Sequence, residues 1–79
     1  MKRQTAQWVR KAEEDINAAK GLAAQAPPPR NAVAFHCQQA AEKFLKALLQ
    51  QVGAAVPRTH DMEDLLDLLL PYDATLARK

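Results

Sequence analysis

A chain of 79 residues is one domain at most, near the size at which a single core barely outweighs conformational entropy. Its net charge of +2 is too small to hold nucleic acid by bulk electrostatics, and its one cysteine excludes an internal disulfide. No apolar run approaches the roughly twenty residues of a membrane span, and MKRQTAQWVRKAEED lacks a signal-peptide core, so a soluble cytoplasmic protein with no membrane contact is expected.

Sixteen of the residues are alanine, which lets helices approach closely while burying little area. A three-helix monomer of this kind is marginal, and the expectation is either dimerisation or further helices outside this sequence. Charge is unevenly spread. Residues 1–60 carry nine Lys/Arg against four Asp/Glu, and residues 61–79 two against five, so the basic surface belongs to the first two helices.

The first helix is predicted from about Thr5 to Ala26. Trp8, Ala12, Ile16, Ala19, Leu22, Ala23 and Ala26 recur on one face, with Arg10, Glu14, Asn17 and Gly21 opposite. Arg10 with Glu14 and Lys11 with Asp15 are spaced as i,i+4 pairs. Asp15 breaks the pattern by projecting within the apolar arc, where a carboxylate needs a basic or donor partner unless it escapes to solvent at the margin. Pro27, Pro28 and Pro29 end the helix.

The second helix is predicted from Ala32 to Val52, antiparallel to the first, with Asn31 as its N-cap and Gly53 as its left-handed C-terminal cap. Val33, Cys37, Ala40, Ala41, Phe44, Leu45, Ala47, Leu48, Leu49 and Val52 cover more than half its circumference, wider than a surface helix needs. It therefore reads as the central helix, packed on at least two sides, with Cys37 as a small buried hydrophobe. Thr59 and Asp61 compete to cap a third helix through Met62, Leu65, Leu66, Leu69 and Leu70, with Leu68 pointing away from that stripe. The tail YDATLARK is too short to place.

Metal and cofactor chemistry find little support. One Cys and two His fall short of a zinc site, no glycine-rich phosphate loop is present, and the adjacent His36 and Cys37 splay about 100° apart on a helix. What remains is the polar face of the central helix, where His36, Gln39 and Lys43 line up, Lys46 lies one step aside and Arg30 precedes the helix. Cations converging near a helix N-terminus can hold a phosphate. They can also cut RNA, with His36 as general base or acid and Arg30 stabilising charge on the phosphate. The bland alternative is a solvated basic face with Glu42 and Lys46 as an i,i+4 pair. Phe35, on the same side, could stack a base or fill a partner's pocket. His60 reads most simply as a loop residue that buttresses the start of the third helix.

The run FHCQQAAEKFLKALLQQVGAAVPRTHDMEDLL, preceded by Trp8, Ala12, Asp15 and Ile16 in a W-x3-A-x2-D-I spacing, resembles the HEPN domain over about residues 8–70. The resemblance implies an all-α, antiparallel up-and-down bundle that commonly dimerises, with the three helices here forming the N-terminal part of four or five. It also implies pairing with a small nucleotidyltransferase, often in a toxin-antitoxin or related operon. Family members have been proposed to bind nucleotides, and many in the wider superfamily are metal-independent ribonucleases. Their signature, an Arg four to six residues before a His with a polar residue after the Arg, is met formally by Arg30, Asn31 and His36.

The expected protein is thus a single HEPN domain over residues 1–79, a helical partner of a nucleotidyltransferase that binds nucleotide or RNA through its central helix. The binding set is His36, Gln39, Lys43, Lys46 and Phe35 with Asp15 and His60; no metal, cofactor or DNA sequence recognition is expected. The competing readings are an endoribonuclease using Arg30 and His36, and a purely structural dimerisation unit.

Overall fold

The computed structural model describes residues 1–72. Three α-helices, α1 (Arg3–Ala23), α2 (Arg30–Gln51) and α3 (Met62–Leu69), are followed by a 3-10 turn over Leu70–Tyr72, and no strand occurs among the described residues. The chain is an all-α helical bundle. None of its helices is long and apolar enough to cross a membrane.

The long pair α1 and α2 runs antiparallel. Lys2 Nζ donates to the Gln50 carbonyl at 3.1 Å at one end, while Asp15, midway along α1, meets His36 and Lys43 of α2. Alanine dominates the buried positions of this pair: Ala12, Ala19, Ala40 and Ala47. The bulky core lies at one end, where Leu49, Leu65 and Leu69 pack with Leu45, Leu48, Val52, Ala54 and Val56, so α3 and its leading loop close over the last turns of α2.

Two helix limits differ from the sequence expectation. α1 stops at Ala23 rather than Ala26, since the residue before a proline is pushed out of the helical region and the turn must loosen ahead of Pro27. α2 starts at Arg30, with Pro29 and not Asn31 at the N-cap and no side-chain cap at all. Pro29 has a ring-fixed φ of −77°, already near helical, and no N–H of its own, so the helix begins two residues early with Asn31 inside the first turn. Gly53 takes the left-handed conformation at φ +82°, and the following Ala54 N–H returns to the Leu49 carbonyl at 3.0 Å.

At α3 the competition for the N-cap goes to Asp61, whose Oδ1 accepts from the Glu63 N–H at 2.9 Å. Thr59 instead accepts from the Asp61 N–H and donates to Asp64, locking the approach to the helix. Glu63 and Asp64 in the first turn also suit the positive end of the helix dipole.

The two-sided packing expected of α2 holds only for its last turns. Cys37 is exposed, not buried, because α3 covers the C-terminal end of α2 and α1 alone covers the N-terminal half. For the same reason α3 buries only the i,i+4 pair Leu65 and Leu69; Leu66 and Leu70, expected in its apolar stripe, are exposed together with Leu68. The additional helices implied by the family resemblance have no counterpart among the described residues, and residues 73–79 of the tail lie outside them.

Leu65 is fully buried and Leu68 is not, which sets a direct comparison. Leu65→Ala is expected to cost about 2–5 kcal/mol, enough to unfold so small a domain, and Leu68→Ala about 0.5 kcal/mol or less, as read by urea denaturation followed by circular dichroism.

Candidate functional site

A polar seam runs along one flank of the α1–α2 pair. Near its middle Asp15, with only 13% of its side chain exposed, faces two α2 residues one above the other. His36 Nδ1 lies 3.0 Å from Asp15 Oδ1, and Lys43 Nζ donates to the other oxygen, Oδ2. The i,i+7 spacing of His36 and Lys43 places them on the same helix face two turns apart, which lets one carboxylate take both. The Lys43 hydrogen bond, then that from His36, holds the Asp15 carboxyl below its ordinary 3.8, against the upward push of burial.

This arrangement replaces the solvated basic face. His36 and Lys43 are half-buried and committed to Asp15, and neither Lys11–Asp15 nor Arg10–Glu14 forms an ion pair, since the Asp15 oxygens point at α2. Phe35 is 57% exposed and its ring meets that of His36 edge-on, centroids 5.4 Å apart at 78°. Gln39 is half-buried. Arg30 is exposed at the start of α2 and makes no hydrogen bond or ion pair among the described residues.

A second polar cluster lies further along the seam. Glu42 is 2% exposed, and its Oε2 stands 3.2 Å from Nδ1 of His60, which reaches across from the loop before α3. His60 therefore ties its loop to α2 rather than to the start of α3. The Glu42–Lys46 pair does not form. Lys46 is itself buried, at 6% exposure, with its ammonium 5.3 Å from the centre of the Trp8 ring; Lys11 sits at the same distance from that ring.

Trp8, Lys46, Gln50, Val56, Pro57, Arg58 and His60 surround a pocket of about 460 Å³ at this end of the seam. Sequence reasoning assigned Trp8 to the core and passed over Arg58 entirely. The usable signal for Trp8 was its place seven residues before Asp15, which puts both on one α1 face; Arg58, in a loop, had no periodicity to mark it. An apolar groove of about 520 Å³ lies between Val9 of α1 and Phe44 and Leu48 of α2, with the buried Thr5 hydroxyl in its wall. Among the described residues no cluster of three or more His, Cys, Asp or Glu could hold a metal.

The site thus brings Asp15, His36 and Lys43 into one cluster, sets Phe35 against its edge, and separates them from Lys46 and His60, which belong with Trp8. Asp15→Asn is expected to destabilise the fold by about 1–3 kcal/mol near neutral pH, since it removes the carboxylate that Lys43 and His36 share. Because the folded pKa is lowered, the contribution is complete above the unfolded value of 3.8 and disappears as pH falls through the lower folded value. Thermal melts of both proteins should therefore differ near neutral pH and converge at strongly acidic pH.

The sequence model of the HEPN domain matches residues 5–76. No curated protein and no solved structure shows significant similarity to the chain. With an all-helical bundle and a family match over nearly its whole length, the chain belongs to the HEPN domain family.

Proposed function

We propose that this HEPN domain is a binding module for nucleotide or RNA, acting as the helical partner of a nucleotidyltransferase in a toxin-antitoxin-like or related system. One observation carries the ligand part of the reading. The two carboxylates of the seam, half-buried Asp15 and buried Glu42, are already matched by His36, Lys43 and His60, while Lys11, Lys46 and Arg58, without a carboxylate partner among the described residues, lie around Trp8 and its pocket. Surplus positive charge beside Trp8 and an exposed Phe35 suits an anionic, aromatic ligand. Partner binding and self-association draw support from Phe44, Leu66, Leu68 and Leu70, large apolar side chains left exposed on a small domain.

Titration of ATP or a short RNA, followed by NMR at His36 and at the Trp8 indole, tests this directly. Saturable shifts confined to the seam are expected. Silence at both positions up to millimolar ligand would leave only the scaffold role.

A second reading, a metal-independent endoribonuclease using Arg30 and His36, has one specific observation in its favour. Asp15 engages His36 Nδ1, which orients the ring and leaves Nε2 as the nitrogen available to move a proton, the arrangement of an oriented general base. Arg30, exposed on the first turn of the same helix, would meet the phosphate. RNA cleavage in EDTA should then fall at least about a hundredfold in His36→Ala. Equal rates in wild type and variant would remove His36 from the chemistry.

A further inference from the structure

We infer that the pocket between Trp8, Lys46, Arg58 and His60 is a phosphate-monoester site, made for a terminal phosphate rather than an internal phosphodiester. The inference rests on the binding-module reading only in taking a nucleotide as the carrier of that phosphate; the pocket chemistry stands by itself.

Lys46 is the decisive residue. It is more than nine-tenths buried in the pocket wall, and its ammonium has neither a hydrogen bond nor an ion pair with any described residue. The stem is buried while the ammonium keeps contact with the water of the pocket, where it stands as a charge with no protein anion to neutralise it. The face of Trp8 at 5.3 Å attracts that charge, but a neutral ring supplies none of the hydrogen-bond acceptors that three N–H groups can use. An anion entering the pocket supplies them.

The rest of the lining agrees in sign. Arg58 and His60 complete the polar side, and no carboxylate lines the pocket. The buried Glu42 carboxylate is turned towards His60 and holds that ring in place. Pro57 fixes the backbone φ between Val56 and Arg58, so the loop carrying both Arg58 and His60 has a stiff centre.

The preference for a monoester follows from counting donors against oxygens. A guanidinium offers two parallel N–H donors to two phosphate oxygens, and an ammonium reaches a third. A monoester presents three unesterified oxygens and nearly two negative charges; a diester presents two oxygens and one charge. With Arg58 and Lys46 lining one pocket, a monoester gives each of these three contacts its own unesterified oxygen, and a diester does not.

Trp8 is the chain's only tryptophan and lies in the pocket wall, so its fluorescence and its indole N–H resonance report on this site. Inorganic phosphate and adenosine monophosphate should each give a saturable Trp8 response, the two arms separating free phosphate from a nucleotide source. Cyclic adenosine monophosphate, a diester, should bind at least about tenfold more weakly than the acyclic nucleotide. Lys46→Met, which keeps the buried stem and removes the charge, should weaken phosphate binding by about tenfold or more while its melting temperature stays at or above that of the wild type. Arg58→Gln, on an exposed loop position, gives the same test without touching the buried wall.

Equal affinity for the cyclic and acyclic nucleotides overturns the monoester assignment, and so does phosphate binding that survives both substitutions. ATP shifting His36 and Phe35 while phosphate leaves Trp8 unmoved would sink the pocket and spare the module. Phosphate bound at Trp8, with adenosine monophosphate no tighter and RNA unbound, would do the reverse.

Discussion

The carboxylate of Asp15, shared between His36 and Lys43, is the interaction on which the geometry of this domain depends. The seam it spans is otherwise rich in alanine, and at about 25 cal/mol per Å² of buried apolar surface such residues contribute little directional preference. Alanines allow two helices to lie close together at several registers. Asp15 allows one, because a shift of α2 by a turn would leave a largely covered carboxylate without Lys43 and His36. That register sets every other position on the flank, including which α2 residues come to face Trp8.

The same interaction reapportions the charge of the central helix. A basic face with His36, Lys43 and Lys46 all turned to solvent would be a diffuse attraction for any polyanion. In the folded domain His36 and Lys43 are drawn onto Asp15 and His60 onto Glu42, while Lys11, Lys46 and Arg58 gather around Trp8 without a carboxylate partner among the described residues. An imidazole held by a carboxylate is oriented for proton transfer, whereas an unpaired cation attracts anions. The seam therefore divides into a chemically poised part around His36 and an electrostatically attractive part around Lys46, separated along one pair of helices.

The distribution of apolar side chains follows from the limited cover that α3 provides. It closes the end of the pair where Leu49, Leu65 and Leu69 meet, and it leaves Phe44, Leu66, Leu68 and Leu70 in solvent. Among the described residues only Leu49 and Leu65 are both large and fully buried. A core of that size makes the polar link at Asp15 and the caps at Asp61 and Gly53 a large share of what specifies the fold.

The sequence by itself determined the three helices, their order and the antiparallel pairing, because helical periodicity, a triple proline and a glycine after the last periodic residue are local signals read over a few turns. It also exposed the problem of Asp15, since a carboxylate in an apolar arc demands a partner wherever that partner lies. Tertiary structure alone decided which partners those were, and it decided the fate of Cys37, Leu66 and Lys46. A helical wheel says which residues share a face, but whether that face is covered depends on where a neighbouring helix stops. Here α3 ends too soon to cover Cys37, and α1 comes close enough to bury Lys46 against Trp8. Arg58 and His60 reach the seam only because the chain from Gly53 to Asp61 folds back across it, and that path is recorded in no local pattern.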